Sequence, residues 1–428
     1  MSSGAEQGFS VAIDQNEYLA EGQGTVDAVI TVEAGAGIEA VDAPQQRLEI
    51  LIIDTSGSMA SSRKFEGARH AVLAALDALP DGTHFAIVEG TALARLVFPT
   101  DVPSLPANRD SRSAARRKLD RLRPTGGTAM GTWLGLARQL ALKHPDAMVH
   151  AILLTDGKNE HEEPAALAAE IELCRGHFTC DCRGVGTDWR VEELRSIAAA
   201  LHGTVDIVAD PARLAADFTA MTRGSMAKSI PDLTLRVWTP VGAEVRFVKQ
   251  VAPTIEDLTA RRVEAGPQIG EYSLGAWGAE DRDYHVQVRV EPGAPGREKL
   301  AARVRVAAGD QVLGEGLVKA TWTTDTELST RISRRVAHYT GQAELAQAVQ
   351  EGLAARKSGD LETATAKLRR AVELAAESGN EGTAKLLRGV VEVDERHGTV
   401  RLRAKVQAAD EMALDARSTK TARVRKGE

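Results

Sequence analysis

Short apolar runs alternate with amphipathic helical stretches from about residue 48 to residue 225, and this alternation fixes the fold class of the middle of the chain. "LEILIID" (48–54) is apolar at nearly every position, as a parallel strand buried on both faces must be. "FEGARHAVLAALDAL" places Phe65, Ala68, Val72, Leu76 and Leu79 three or four apart, one face of a helix. "THFAIVEG" and "LARLVFP" are strands joined by a very short turn and predict an antiparallel hairpin. Helices follow in "RSAARRKLDRL", with a basic face read as solvated, and in "GTWLGLARQLAL". Then strand and helix alternate again through "MVHAILLT", "PAALAAEIELC" (opened by Pro164), "FTCDCRGVG", "VEELRSIAAAL", "TVDIV" and "PARLAADFTAM". The pattern predicts an open, doubly wound, mostly parallel sheet with helices on both faces.

The flanks are written differently. From about 231 to 325 the period is two: Leu233, Leu235 and Val237 face one way, as do Val286, Val288 and Val290. This predicts an antiparallel β-sandwich. The N-terminal segment has the same pattern, with Val26, Ala28, Ile30 and Val32 alternating. Two strands do not make a stable domain alone. The α/β domain (47–225) is therefore expected to be inserted into a sandwich built from 1–46 and 226–326. A helical region (327–415) should follow, beginning as a hairpin with a Gly-Asp turn that resembles a single tetratricopeptide unit. Small residues at Ala364 and Ala371 would permit close helix contact. The tail 416–428 is basic and lacks apolar spacing, which predicts disorder.

The formal charge of −7 argues against general nucleic-acid binding, and no apolar run approaches the roughly 20 residues a membrane helix needs. "MSSGAEQGF" has neither the basic start nor the apolar core of a signal peptide, and three cysteines form no disulfide framework. The expectation is a cytoplasmic protein without membrane insertion.

In open α/β sheets, ligands sit beyond the carboxyl ends of the strands. The first strand ends there on Asp54-Thr55-Ser56-Gly57-Ser58, whose alternate positions place three oxygens on one side of a tight loop. Two further loops should reach the same rim. "RPTGGTAMGTW" sets Thr128 just before a helix, and "ILLTDGKNE" ends a strand on Thr155-Asp156-Gly157. Any one of these is ordinary capping or turn chemistry; their combination points to hard oxygen ligands for a hard divalent cation.

Asp-x-Ser-x-Ser at 54–58, the Gly-Gly-Thr threonine at 128 and the Asp-Gly at 156 resemble the metal-ion-dependent adhesion site of von Willebrand factor type A domains, over about residues 47–225. "GVGTDWRVEELRSIA" resembles the end segment of many bacterial members, and the whole arrangement is similar to intracellular bacterial proteins of this kind. The resemblance implies that Ser56, Ser58 and Thr128 ligate Mg²⁺ directly, with Mn²⁺ or Ca²⁺ as alternatives. Asp54 and Asp156 would act mostly through bound waters. Neutral ligands leave the ion much of its charge, so its remaining position favours a Glu or Asp side chain of a protein partner.

The resulting function is a non-enzymatic interaction module or scaffold. The alternative is an accessory subunit of a separate AAA+ ATPase, chelatase-like or MoxR-like, since the chain itself has no G-x-x-x-x-G-K-[ST]. A hydrolase using Ser56 or Ser58 is disfavoured, because no G-x-S-x-G elbow is present. Cys174, His177, Cys180 and Cys182 suggest zinc only weakly, as no second ligand pair exists and Cys180 and Cys182 share one face of a strand. "KNEHEEP" (158–164) is expected to be a solvated loop bordering the metal rim.

Overall fold

The computed structural model describes residues 8–35, 46–61, 63–394 and 399–424. The chain forms two compact units, one of Val41–Pro231 and one of Met1–Ala40 with Asp232–Glu428. The second unit opens with β1 (Phe9–Gln15), β2 (Tyr18–Ala20) and β3 (Thr25–Ala34).

The α/β unit runs β4 (Gln46–Asp54), α1 (Lys64–Ala78), β5 (His84–Gly90), β6 (Ala94–Phe98), β7 (Leu105–Pro106), α2 (Arg109–Leu119), α3 (Met130–Ala141), β8 (Ala147–Thr155), α4 (Pro164–Cys174), β9 (Thr179–Val185), α5 (Val191–Ala200), β10 (Val205–Val208) and α6 (Leu214–Met226). Its sheet has the order β10-β9-β8-β4-β5-β6, and β7 also pairs with β5. The first five strands in that order are parallel; β6 returns antiparallel to β5, forming the hairpin expected from the sequence. From Leu48 to Asp54 every residue of β4 is buried, which is why its sequence shows no alternation. From β4 the chain moves to β5 on one side and later to β8 on the other. The topological switch point therefore lies between the ends of β4 and β8, where Asp54 and Thr155 sit.

The other unit continues with β11 (Thr234–Trp238), β12 (Glu244–Ala252), β13 (Glu256–Asp257), β14 (Val263–Gly266), β15 (Ile269–Ser273), β16 (Asp281–Arg289), β17 (Glu298–Ala308) and β18 (Gln311–Thr323). One sheet has the order β1-β3-β16-β12-β13, the other β14-β15-β11-β17-β18-β2. The N-terminal strands thus enter both sheets, β3 between β1 and β16, and β2 along the edge of β18. The sheets meet closely: an added Cβ would lie 2.7 Å from Val11 at Gly314 and 2.6 Å from Ile13 at Gly316. The expected arrangement, a doubly wound sheet inserted in an antiparallel sandwich and followed by helices, is the one observed.

The helices are α7 (Thr326–Ser329), α8 (Arg334–Ser358), α9 (Leu361–Glu377), α10 (Glu381–Val390) and α11 (Ala408–Arg417), with a two-stranded hairpin of β19 (Val391–Asp394) and β20 (Thr399–Leu402) between the last two. Gly359, at φ +85°, ends α8, and Asp360 caps α9 through the Thr363 amide. Ala364 and Ala371 are fully buried, as close contact requires. The start of α8 covers the outer face of the first sheet, where Val336 and Tyr339 pack with Val29, Val251 and Ala252. Tyr339 Oη and Thr31 Oγ1 both donate to the buried Asp283 carboxylate.

Two expectations need correction. The hairpin β19–β20 interrupts the region expected to be helical. The tail is ordered from 416 to 424; residues 425–428 lie outside the described residues. The Ile255 amide donates to Thr419 O, the Thr421 amide to Pro253 O, and Arg423 pairs with Asp281. Backbone pairing and a charged anchor hold this segment, and neither leaves an apolar period in a sequence.

Candidate metal centre

The site begins at the end of β4. Asp54 is fully buried; its Oδ1 accepts the Ser56 amide at 2.7 Å and its Oδ2 the Thr155 hydroxyl at 2.5 Å. Burial pushes its carboxyl up to about 6, against the opposing pull of those hydrogen bonds. After Ser56 the backbone turns through a short 3₁₀ segment (Gly57–Ala60). The turn brings Ser56 Oγ within 3.0 Å of Ser58 Oγ, and Ser58 Oγ donates to Asp156 Oδ1 at 2.6 Å. The loop before α3 is laced to the same turn, with Gly57 N donating to Gly126 O and Thr125 N to Thr55 O.

Thr128 reaches the site from that loop. A Cβ built on Gly157 would lie 3.0 Å from Thr128 Oγ1, 3.4 Å from Ser58 Oγ and 3.8 Å from Asp54 Oδ2. Three oxygens from two separated segments, the 54–58 turn and the loop before α3, therefore converge on one point beside a third segment that the missing side chain of Gly157 leaves open. Ser56 and Asp156 join through Ser58, so all five residues singled out in the sequence meet at this rim. The donors are hydroxyl and carboxylate oxygens, and no group of three or more His, Cys, Asp or Glu suited to a metal occurs among the described residues. Such a set fits a hard, oxygen-seeking cation rather than zinc.

The structure adds residues that the sequence reading passed over. Lys64, the first residue of α1, is only 7 % exposed, and its Nζ lies 2.7 Å from Asp156 Oδ2 and 2.9 Å from Asp188 Oδ2. Burial works against the ammonium charge, but the two carboxylates prevail and its pKa is raised. The available signal was its place on the stripe Lys64, Ala68, Val72 and Leu76, otherwise buried and apolar.

The 158–164 loop is more than a solvated border. Asn159 Oδ1 accepts the Met130 amide and Glu162 Oε1 the Gly131 amide, both at 2.7 Å, capping the start of α3. The imidazole of His161 lies against Gly127, where an added Cβ would come within 2.3 Å of the ring. The cysteines form no site with His177, which is exposed. Cys180 and Cys182 are buried on one face of β9 with sulfurs 4.0 Å apart, and Cys174 is buried in α4.

The fold and rim define an α/β interaction-type domain with an oxygen-lined centre at the switch point of its sheet. Residues 48–207 match the von Willebrand factor type A domain, and residues 373–418 match the von Willebrand factor type A C-terminal domain. The chain is 51 % identical to a solved von Willebrand factor type A protein from Catenulispora acidiphila, with 99 % of each chain covered and a TM-score of 0.93. The chain belongs to the von Willebrand factor type A family. The crystal structure of the ArnB paralog VWA2 from Sulfolobus acidocaldarius shares the fold at 13 % identity, with 96 % of this chain and 98 % of that one covered and a TM-score of 0.58. The Synechocystis protein sll0103 is 28 % identical over 232 residues, 53 % of this chain, which spans about half (52 %) of that relative's length.

Proposed function

We propose that this chain is a divalent-cation-dependent interaction module that grips an acidic side chain of a protein partner through the rim at Asp54. Domains of this family serve protein–protein interaction in general; the metal dependence and the acidic ligand are the specific reading here. The observation that carries it is the convergence of Thr128 Oγ1, Ser58 Oγ and Asp54 Oδ2 on the space beside Gly157. Ser56, Ser58 and Thr128 would hold Mg²⁺, or Mn²⁺ or Ca²⁺, through neutral hydroxyls. Asp54 and Asp156 would hold bound waters and orient the serines, as Asp156 already does for Ser58. A bound ion supplies an electrophilic position for one anionic oxygen. The surrounding residues fix the hydroxyls in advance, so little ordering is needed when a partner arrives.

A binding role fits these residues better than hydrolysis. The Ser56 and Ser58 hydroxyls contact each other and a carboxylate, and His161 Nδ1 is engaged by the Thr128 amide. No described helix is long and apolar enough to cross a membrane, and the three cysteines are free and buried. The reading places the module in the cytoplasm. Calorimetric titration of the full chain with Mn²⁺ tests the proposal. One ion per chain is expected, with affinity lowered about tenfold or more by Thr128→Ala. Saturable binding that Thr128→Ala leaves unchanged would place the ion elsewhere.

A further inference from the structure

A buried lysine on a candidate metal ligand requires a reason, since lysine is almost never fully buried without a partner. Lys64 reaches the site from the start of α1 and bridges two carboxylates from different loops, Asp156 after β8 and Asp188 after β9. Its path is built into the fold. Gly186 has φ +69°, and a Cβ there would lie 3.1 Å from Lys64 Cε, so the glycine leaves the channel in which the side chain runs. The lysine is thus part of the centre, although nothing in the ligand set requires it.

We propose that Lys64 sets the charge of the centre, weakening its hold on the divalent ion and allowing the loaded site to accept a carboxylate. Asp54, Asp156 and Asp188 carry three negative charges, and a divalent ion alone would leave the loaded centre anionic. The Lys64 ammonium cancels that remainder, so an incoming Glu or Asp meets a neutral centre rather than a repelling one. The same ammonium engages Asp156 and repels the ion, which lowers metal affinity. Lys64 is thereby a positioning and selectivity residue that acts through Asp156, and its role rests on the metal-site reading above.

The two effects have opposite signs, which separates this role from simple structural support. The test is Mn²⁺ calorimetry on the full chain, combined with acetate titration of the Mn²⁺-loaded protein followed by water-proton relaxivity. Lys64→Met should bind Mn²⁺ about fivefold more tightly, while the half-saturating acetate concentration rises about fivefold. Asp188→Asn changes an exposed residue and should do the reverse by about twofold, weakening Mn²⁺ and strengthening acetate. That variant keeps the proposal testable if Lys64→Met fails to fold. Lys64→Met or Asp188→Asn moving both affinities in one direction, or moving neither, overturns the role of Lys64 and leaves the metal site standing. Absence of Mn²⁺ binding in the unmodified chain, or binding that survives Asp54→Asn, overturns the site reading and this role with it.

Discussion

Thr128 and His161 hold each other through two hydrogen bonds: the Thr128 amide donates to His161 Nδ1 at 3.1 Å, and the His161 amide donates to Thr128 O at 3.0 Å. The threonine is therefore placed by the segment that follows Asp156 as well as by its own loop. His161→Ala keeps the backbone bond but removes the ring. Because His161 is exposed, stability should change by about 1 kcal/mol or less, while Mn²⁺ affinity falls about threefold to tenfold. Thermal unfolding and calorimetry on the same sample check both halves of this expectation.

Gly157→Ala is expected to act more strongly. The new methyl would occupy the space on which Thr128, Ser58 and Asp54 converge. Divalent binding should fall by about a hundredfold, with little loss of secondary structure by circular dichroism. Calorimetry showing undiminished affinity would mean that the ion does not use this space.

Asp54→Asn separates function from stability. Burial raises the Asp54 carboxyl to about 6, above its ordinary value of 3.8, so its ionised form is disfavoured in the folded state. That penalty is absent below about pH 3.8, grows as pH rises, and is fully present above about 6. The asparagine removes the charge, and the Thr155 hydroxyl can rotate to accept from the new amide. In EDTA at pH 7 the variant should be about 2 kcal/mol more stable than the unmodified chain, yet gain nothing from added Mn²⁺. Urea denaturation with and without the ion measures both.

A second buried cluster predicts a pH effect away from the rim. His150 on β8 lies 2.8 Å from Glu49 on β4 and 3.1 Å from Asp181 on β9. Burial pulls its pKa down, but Glu49 and Asp181 more than offset this and raise it to about 9. Asp181 is held well below the usual carboxylate range, with hydrogen bonds from His150 and Thr204 outweighing its burial. A histidine whose folded pKa exceeds its unfolded value of about 6.5 stabilises fully below that value, and the contribution is lost as pH rises through 9. The stability difference between the unmodified chain and His150→Gln should therefore shrink by on the order of 2 kcal/mol between pH 6 and pH 9.5 in urea denaturation. A constant difference would mean that the imidazole binds its proton equally well in the folded and unfolded chains.

Legibility in the sequence followed the range of the interaction. The strands of the α/β unit were readable because parallel strands buried on both faces are apolar at nearly every position, as β4 is at Leu48 and from Ile50 to Ile53, with Glu49 the buried exception that pairs with His150. The insertion was readable because the alternation of Val26, Ala28, Ile30 and Val32 needed a partner sheet, and β16 supplies it. Asp54, Ser56, Ser58, Thr128 and Asp156 stood out as small oxygen-bearing residues where strands or helices meet loops. Lys64 did not, since its partners lie 92 and 124 positions away and a lysine opening a helix is ordinary. Nor did the loop from Asn159 to Glu162, whose side chains cap a helix about 30 residues earlier. The tail was misread because backbone hydrogen bonds and Arg423 leave no composition signal.

The central claim is that the rim holds an ion with one position free for a carboxylate, and anomalous diffraction from crystals grown with Mn²⁺ and acetate tests it most directly. The account predicts a single strong anomalous peak beside Gly157, within direct bonding distance of the Ser56, Ser58 and Thr128 hydroxyls at about 2.0–2.4 Å, with an acetate oxygen completing the coordination. A peak at another part of the surface, or none at saturating Mn²⁺, would contradict it.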